Sequence, residues 1–205
     1  MSAKEDILRC ARDLYVEHGI TGMSLRAVGK CAGVSAPAIY RHFEGKEDLL
    51  WAVALQGHEI FARYLGRGLR GETPRERLSL TGLGYLDFAM DHRAFYVIMF
   101  VAPPEHFGWE KLAERSNDEA GATFQMLVDR VRECQDAGVL RAGDPDEHAI
   151  SIWAHVHGMV TLQYRLPRDP EARRLAAPEA VATDARFRVL YQRSVDALIA
   201  GLAPE

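Results

Sequence analysis

Apolar residues recur at three- and four-residue spacing along almost the whole chain, and that spacing predicts helices. From about Ala3 to His18, Ile7, Leu8, Ala11, Leu14 and Tyr15 form one stripe, and Gly19 ends it. A shorter pattern follows through Leu25, Val28 and Ala32. Ser24 is placed to cap it, Met23 and Val28 to staple its entry, and Gly33 to close it. Val34 then reads as a buried plug. Ser35 caps a third helix with Pro37 in its first turn, where backbone N–H groups lack partners in any case. Ile39 and Phe43, four apart, are the buried face of that helix. A fourth helix opens at Lys46, with Glu47 and Asp48 suiting the dipole of its first turn. Leu49, Leu50, Val53, Leu55, Ile60, Phe61 and Leu65 carry it to about Gly68.

Residues 68–72, GLRGE, break the pattern. Thr73, Pro74 and Glu76 form a capping box with proline at the first helical position, opening a helix through Leu78, Leu80, Leu83, Leu86, Phe88 and Met90. The aromatic-rich run HRAFYVIMFVAPP predicts a short helix from about His92 to Phe100, stopped by Pro103 and Pro104. A further helix is expected from near Trp109 to Asp136, carrying Phe124, Leu127, Val128 and Val131 and closed by Gly138. Asp144, Pro145 and Glu147 repeat the cap signature ahead of a helix to about Tyr164. That helix is apolar around much of its circumference, through Ile150, Ile152, Trp153, Val156, Met159, Val160 and Leu162, which predicts burial on several sides. Residues 167–178 are polar and proline-containing and read as a loop. A last helix, from about Asp184 to Leu202, stripes Phe187, Leu190, Tyr191, Ser194, Val195, Leu198 and Leu202. No β pattern, internal repeat or low-complexity tract interrupts this series, so the chain is predicted to be all-α.

Two short capped helices around a tight turn, braced by the first helix, are the sequence form of a helix-turn-helix. A reading helix needs small or polar residues at its exposed N-terminal end to enter a major groove. Ser35, Ala36, Pro37 and Ala38 supply that end. Phosphates on either side need donors and cations, and Ser24, Arg26, Lys30, Tyr40, Arg41, His42 and Lys46 are suitable. Between Thr21 and Lys46 there are four cations and one acid, a local balance of +3 on a chain of net charge −4. A basic island on an acidic protein is the electrostatic footprint of a nucleic-acid site. The small side chains at positions 36 to 38 suit thymine methyl groups, leaving Arg41 or Arg26 to read guanine.

The run AGVSAPAIYRHFEGKEDLL, preceded by SLRAVGK, resembles the N-terminal domain of the tetracycline-repressor (TetR) family of one-component regulators. The matching features are the Gly33-Val34-Ser35 turn, the spacing of Tyr40 and Phe43, and Lys46 opening the next helix. Gly29 and Ala36 depart from the usual pattern, which has Ala at the first position and Lys or another polar residue at the second. A helical glycine costs up to about 1 kcal/mol, and Ala36 lacks the polar DNA-contacting group that is usual there. The resemblance implies a DNA-binding domain over residues 1–50 and a helical ligand-binding and dimerisation domain over residues 51–205. It implies that the fourth helix links ligand to DNA, and that the last two helices pair with their copies in a homodimer. Trp153, His157 and Gly158 also resemble a Trp-His-Gly class of C-terminal regulatory domain within the family. Trp153 and His157 share a helix face. His157 reads either as an anchor for a polar ligand atom or as a satisfied core histidine.

Composition changes this picture little. Of 205 residues, 48% are apolar and 26% charged, typical of a globular protein with a sizeable core. No secretory segment or membrane-spanning run is expected, and the location implied is cytoplasmic. Cys10, Cys31 and Cys134 are odd in number and lack metal-ligand spacing. Their expected role is that of small apolar core residues, with a thiol redox sensor as the alternative. His155 and His157 point nearly opposite ways on a helix and cannot share one metal ion. There is no nucleophile elbow, Gly-rich phosphate loop or paired-carboxylate motif, so neither enzyme activity nor a cofactor is expected.

The function expected is a dimeric transcriptional regulator, a repressor of double-stranded operator DNA relieved by a mainly apolar small molecule. The effector pocket is expected among Phe88, Phe95, Tyr96, Met99, Phe100, Phe124, Trp153 and His157, an aromatic surplus on helices that also carry ordinary core Leu and Val. The competing reading is a helical small-molecule-binding or interaction protein whose DNA-binding domain has weak or lost specificity.

Overall fold

In the computed structural model, residues 2–108 and 119–204 are described, and their regular structure is entirely helical. Among the described residues ten α-helices follow in chain order: α1 (Ala3–Gly22), α2 (Leu25–Ala32), α3 (Ala36–Tyr40), α4 (Lys46–Leu65), α5 (Pro74–Asp91), α6 (Arg93–Tyr96), α7 (Glu119–Asp136), α8 (Pro145–Arg165), α9 (Pro170–Ala176) and α10 (Asp184–Gly201). A five-residue 3₁₀ turn, Gly66–Arg70, extends α4, and a π-helical turn, Val97–Val101, extends α6. The expected start near Trp109 of the helix ending at Asp136 lies outside the described residues.

The local chemistry explains most boundaries. Ser2 and Glu5 form a reciprocal capping box at α1. Gly19 leaves the helical conformation with φ +68°, and one further turn runs to Gly22 beyond that kink. The Ser24 hydroxyl accepts from the Ala27 N–H at 3.1 Å, and Gly33 closes α2 in the left-handed conformation. Thr73 and Glu76 cap α5 reciprocally. Asp144 caps α8, with Pro145 at its first position. The Gly29 departure also has a physical cause. A Cβ there would lie 2.8 Å from the Val34 carbonyl oxygen, so glycine allows α2 to close onto the turn that carries α3.

Contacts divide the chain into two units, residues 1–62 with 88–122 and residues 63–87 with 123–205. In the first, Ile7, Ala11, Met23, Val28, Ile39, Leu49, Leu50 and Val53 are buried beneath the helix-turn-helix. The π-helical segment packs on α4 there, where a Cβ on Gly57 would come within 2.4 Å of the Met99 Sδ. In the second, Leu78, Val128, Val131, Ile152, Val156, Val160, Phe187, Tyr191, Val195 and Ile199 form the core.

Three expectations need correction. Residues 167–178 are not all loop: Asp169 caps α9, with Pro170 at its first position. Arg173 of that helix is buried and donates to the Val181 carbonyl, the Asp184 carboxylate and Gln163 Oε1, at 2.7, 2.6 and 2.8 Å. Second, α8 is not covered all round within one chain, since Ile150, Trp153 and Leu162 remain exposed. Third, two of the cysteines are not simple core residues. Cys10 and Cys31 are joined in a disulfide between α1 and α2, and Cys31 is exposed. Only Cys134 is a free, buried thiol.

Candidate nucleic-acid interface

The first unit places the expected DNA-contacting residues on and around α3. Ser35 stands at its N-cap without a side-chain cap bond, followed by half-buried Ala36, exposed Pro37 and half-buried Ala38. Tyr40, 60% exposed, Arg41 and His42 follow at the C-terminal end. Ile39 of α3 and Phe43 are both buried, but α3 ends at Tyr40, so Phe43 lies in the turn beyond it and not on a helical face as expected; the segment still divides into a core side and an open side. Arg26 and Lys30 are exposed on α2. The Ser24 hydroxyl is engaged as a cap, but it retains its own proton to donate.

Lys46 is less free than its sequence position suggests. It is half-buried and its Nζ donates to the Ile20 carbonyl at 3.2 Å, tying the start of α4 to the last turn of α1. An ammonium has three donors, so one bond to the protein leaves two for a phosphate. The carbonyl of Ile20 is a helix-end group with no intrahelical partner, which explains why a cation sits there.

The expected effector residues fall into two sets. Phe88, Phe95, Tyr96, Met99 and Phe100 lie in the first unit and come together beside α4. Phe61 of α4 meets the Phe88 and Phe100 rings at 4.9 and 5.6 Å, and Tyr96 meets Phe100 at 5.1 Å. Phe88 and Tyr96 are fully buried, whereas Met99 and Phe100 are partly open. His58 of α4 lies edge-on to Phe100, and burial lowers its pKa to about 4. It is therefore neutral at pH 7 and offers a polar atom in an aromatic setting. Neither His58 nor Phe61 was expected there. The spacing of Phe61 marked only a core stripe, and a lone His carries little signal.

The same segment also touches α1. The Tyr15 hydroxyl and His106 Nδ1 are hydrogen-bonded at 2.7 Å, and the Arg12 guanidinium lies 5.1 Å above the Phe95 ring. Burial pushes the Tyr15 phenol up, so it remains protonated.

Phe124, Trp153 and His157 lie in the second unit. Trp153 stacks obliquely on His157 at 5.8 Å and meets Phe124 at 6.4 Å. His157 Nδ1 is hydrogen-bonded to the Tyr85 hydroxyl at 3.0 Å, with Thr161 Oγ1 3.5 Å from Nε2. Burial lowers the His157 pKa. His157 therefore already has a protein partner, and Tyr85 is a member of this cluster that the chain pattern did not single out. His155 faces elsewhere, its Nε2 2.6 Å from Ser194 Oγ.

Known proteins share both the sequence pattern and this arrangement of helices. Residues 7–53 match the family model described as bacterial regulatory proteins, tetR family, and residues 78–178 match one described as tetracyclin repressor-like, C-terminal domain. The HTH-type transcriptional regulator UidR of Escherichia coli K12 is 26% identical over 194 residues, 89% of each chain. A solved protein of unknown function from Rhodococcus sp. RHA1 superposes with a TM-score of 0.75 at 26% identity, over 100% of this chain and 97% of that one. A SmeT–triclosan complex shares the fold, with a TM-score of 0.68 at 23% identity over 100% and 93%.

Proposed function

Since the chain belongs to the tetR family of bacterial regulatory proteins, and so to DNA-binding transcriptional regulators rather than enzymes, we propose that it is a homodimeric repressor released from its operator by a small, mainly apolar molecule. The observation that carries this reading is α3. With the turn that follows it, α3 leaves Ser35, Pro37, Tyr40, Arg41 and His42 open while Ile39 and Phe43 are buried. Ser24, Arg26, Tyr40, His42 and Lys46 hold phosphates. Ala36, Pro37 and Ala38 meet thymine methyl groups, and Arg41 or Arg26 reads guanine. The protein works in the cytoplasm, with DNA. Among the described residues no helix is long and apolar enough to cross a membrane.

The dimer forms through α8 and α10. Exposed Ile150, Trp153 and Leu162 on α8 and Val189 on α10 support this, because uncovered apolar side chains on the two C-terminal helices suit a partner. A two-fold dimer presents two reading helices to a two-fold operator. The functional boundary falls near residue 50, after which the chain serves ligand binding and dimerisation.

The effector site is built on Phe88, Phe95, Tyr96, Met99 and Phe100, which sit against α4 in the first unit; Phe124, Trp153 and His157 make a separate aromatic candidate within the second unit. Ligand bound beside α4 tilts that helix and changes the spacing of the reading helices. Binding requires about one DNA turn, roughly 34–36 Å, between them, so a few degrees of tilt is enough. A coupling of about 1–3 kcal/mol corresponds to roughly 5- to 150-fold weaker operator binding. By reciprocity, operator weakens ligand binding by the same factor. Titrating a pocket ligand with and without the DNA upstream of the gene tests this. Equal ligand affinities would mean that the pocket does not regulate. Salt-independent binding, or none, to any duplex would favour the interaction-protein reading instead.

A further inference from the structure

The described residues hold two very different kinds of cysteine. Cys134 is buried, donates its thiol proton to the Pro74 carbonyl, and has its pKa pushed up to about 11 by burial. It is chemically quiet. Cys10 lies on α1, which braces the helix-turn-helix, and Cys31 on α2, its first helix, with Cα atoms 5.9 Å apart and sulfurs bonded. Cys10 is fully buried in the α1 face, while Cys31 is exposed on α2. A structural bond protected from reductant has both sulfurs covered. This one joins a buried residue to an exposed one, and exposed disulfides are the labile ones. A protein that works on DNA in a reducing compartment does not keep an accessible disulfide as a permanent staple.

We propose that Cys10 and Cys31 form a reversible redox site that reports peroxide or disulfide stress to the DNA-reading helix. The proposal rests on the DNA-binding reading given above for its consequence, though not for its chemistry. In the dithiol form, the accessible Cys31 thiolate attacks a peroxide oxygen, breaking the O–O bond. Cys31 becomes a sulfenic acid and the leaving oxygen departs as water. The Cys10 sulfur then attacks the Cys31 sulfur, forming the S–S bond and expelling a second water. Two thiols and one hydrogen peroxide thus become one disulfide and two waters, and the two electrons lost by sulfur reduce the peroxide. A dithiol reductant reverses this. Its thiolate attacks exposed Cys31, Cys10 leaves and takes up a proton, and the reductant's second thiol closes its own disulfide and frees Cys31.

The bond reaches α3 through α2. On one side α2 is joined covalently to α1. On the other, the Val34 N–H donates to the Gly29 carbonyl at 2.9 Å, and a Cβ on Gly29 would touch Ile39 Cδ1 of α3 at 3.4 Å. With no slack at Gly29, a constraint on α2 is a constraint on α3. The bonded state pins α2, and with it α3, to α1, and is the form that binds operator more tightly. Reduction loosens α2 on α1.

The full-length protein is treated with hydrogen peroxide or with a dithiol, unfolded and labelled with a maleimide. One label after peroxide and three after dithiol are expected, because one of three cysteines lies outside the pair. With Cys10→Ser, a sulfenic-acid probe should tag Cys31, whereas Cys31→Ser should leave Cys10 untagged. Oxidised protein should melt at higher temperature and bind operator at least about fivefold tighter, the low end of ordinary coupling. The Cys10→Ser/Cys31→Ser double variant should bind as the reduced form does and ignore peroxide. Three labels in both conditions, or tagging of Cys10 in place of Cys31, overturns the redox site. Equal operator affinities of the two forms overturn its regulatory role. If the labels behave as expected but neither form binds any duplex, the DNA-binding reading fails while the cysteine chemistry stands.

Discussion

Lys46→Ala separates structural from DNA-binding work at a single side chain. The ammonium donates to the Ile20 carbonyl at 3.2 Å and is half-buried. A hydrogen bond from a charged donor contributes about 1.5–3 kcal/mol when well shielded. Solvent reaches this one, and the freed carbonyl can bond water, so the loss is about 1 kcal/mol. For a chain of this size that is about 2–4 °C in melting temperature. If Lys46 also holds a phosphate in each protomer, every phosphate released by the substitution lowers the salt slope by about 0.9. Raising salt from about 50 to about 200 mM would then narrow the gap between wild type and variant by about 3.5-fold per phosphate. Fluorescence anisotropy of a labelled operator over a series of salt concentrations, with thermal melting of the free protein alongside, measures both. A lower melting temperature with an unchanged salt slope would refute the phosphate role and leave Lys46 as a cap for α1. A changed base preference at constant slope would refute the backbone assignment in another way.

Other consequences follow from individual side chains. The lowered pKa of His58 means that protons prefer the unfolded chain. Its stabilisation is complete above about pH 6.5 and is lost as pH falls toward about 4, up to about 3 kcal/mol. Urea melts from about pH 7 to about pH 4 should therefore fall less steeply for His58→Phe; parallel curves would remove His58 from this account. Gly84→Ala gains about 1 kcal/mol of helix propensity, yet its Cβ would lie 2.3 Å from the Tyr64 carbonyl oxygen. Backbone cannot yield as a side chain can, so overpacking wins by about 2 kcal/mol, and a melting temperature at or above wild type would contradict it. Arg173→Ala leaves Gln163 Oε1 and the Val181 carbonyl without their donor and should cost about 2 kcal/mol, with proteolysis appearing first within residues 167–183. Unchanged protease resistance would show that α9 holds without it.

The sequence alone determined the features that are local in the chain. Apolar spacing and caps located the helices, because a turn of helix is decided by residues within four positions of one another. Ser24, Gly33, Ser35 and the pair Ile39 and Phe43 were enough to recognise a helix-turn-helix. The Thr73–Glu76 capping box and the Asp144 cap were readable for the same reason. Asp169-Pro170-Glu171 carries that signature too, but its polar surroundings hid a helix held by Arg173 rather than by an apolar stripe. Tertiary structure decided what depends on distant partners. Cys10 and Cys31 are 21 residues apart and meet because α1 and α2 pack. Lys46 reaches Ile20, Tyr15 reaches His106, and Tyr85 reaches His157 for equally non-local reasons. An apolar position also does not say what covers it. Ile150 and Leu162 have the composition of core residues and stand exposed, because one chain's own helices cover only part of α8. Spacing along a helix fixes which residues share a face, and only the packing of other elements decides whether that face is buried.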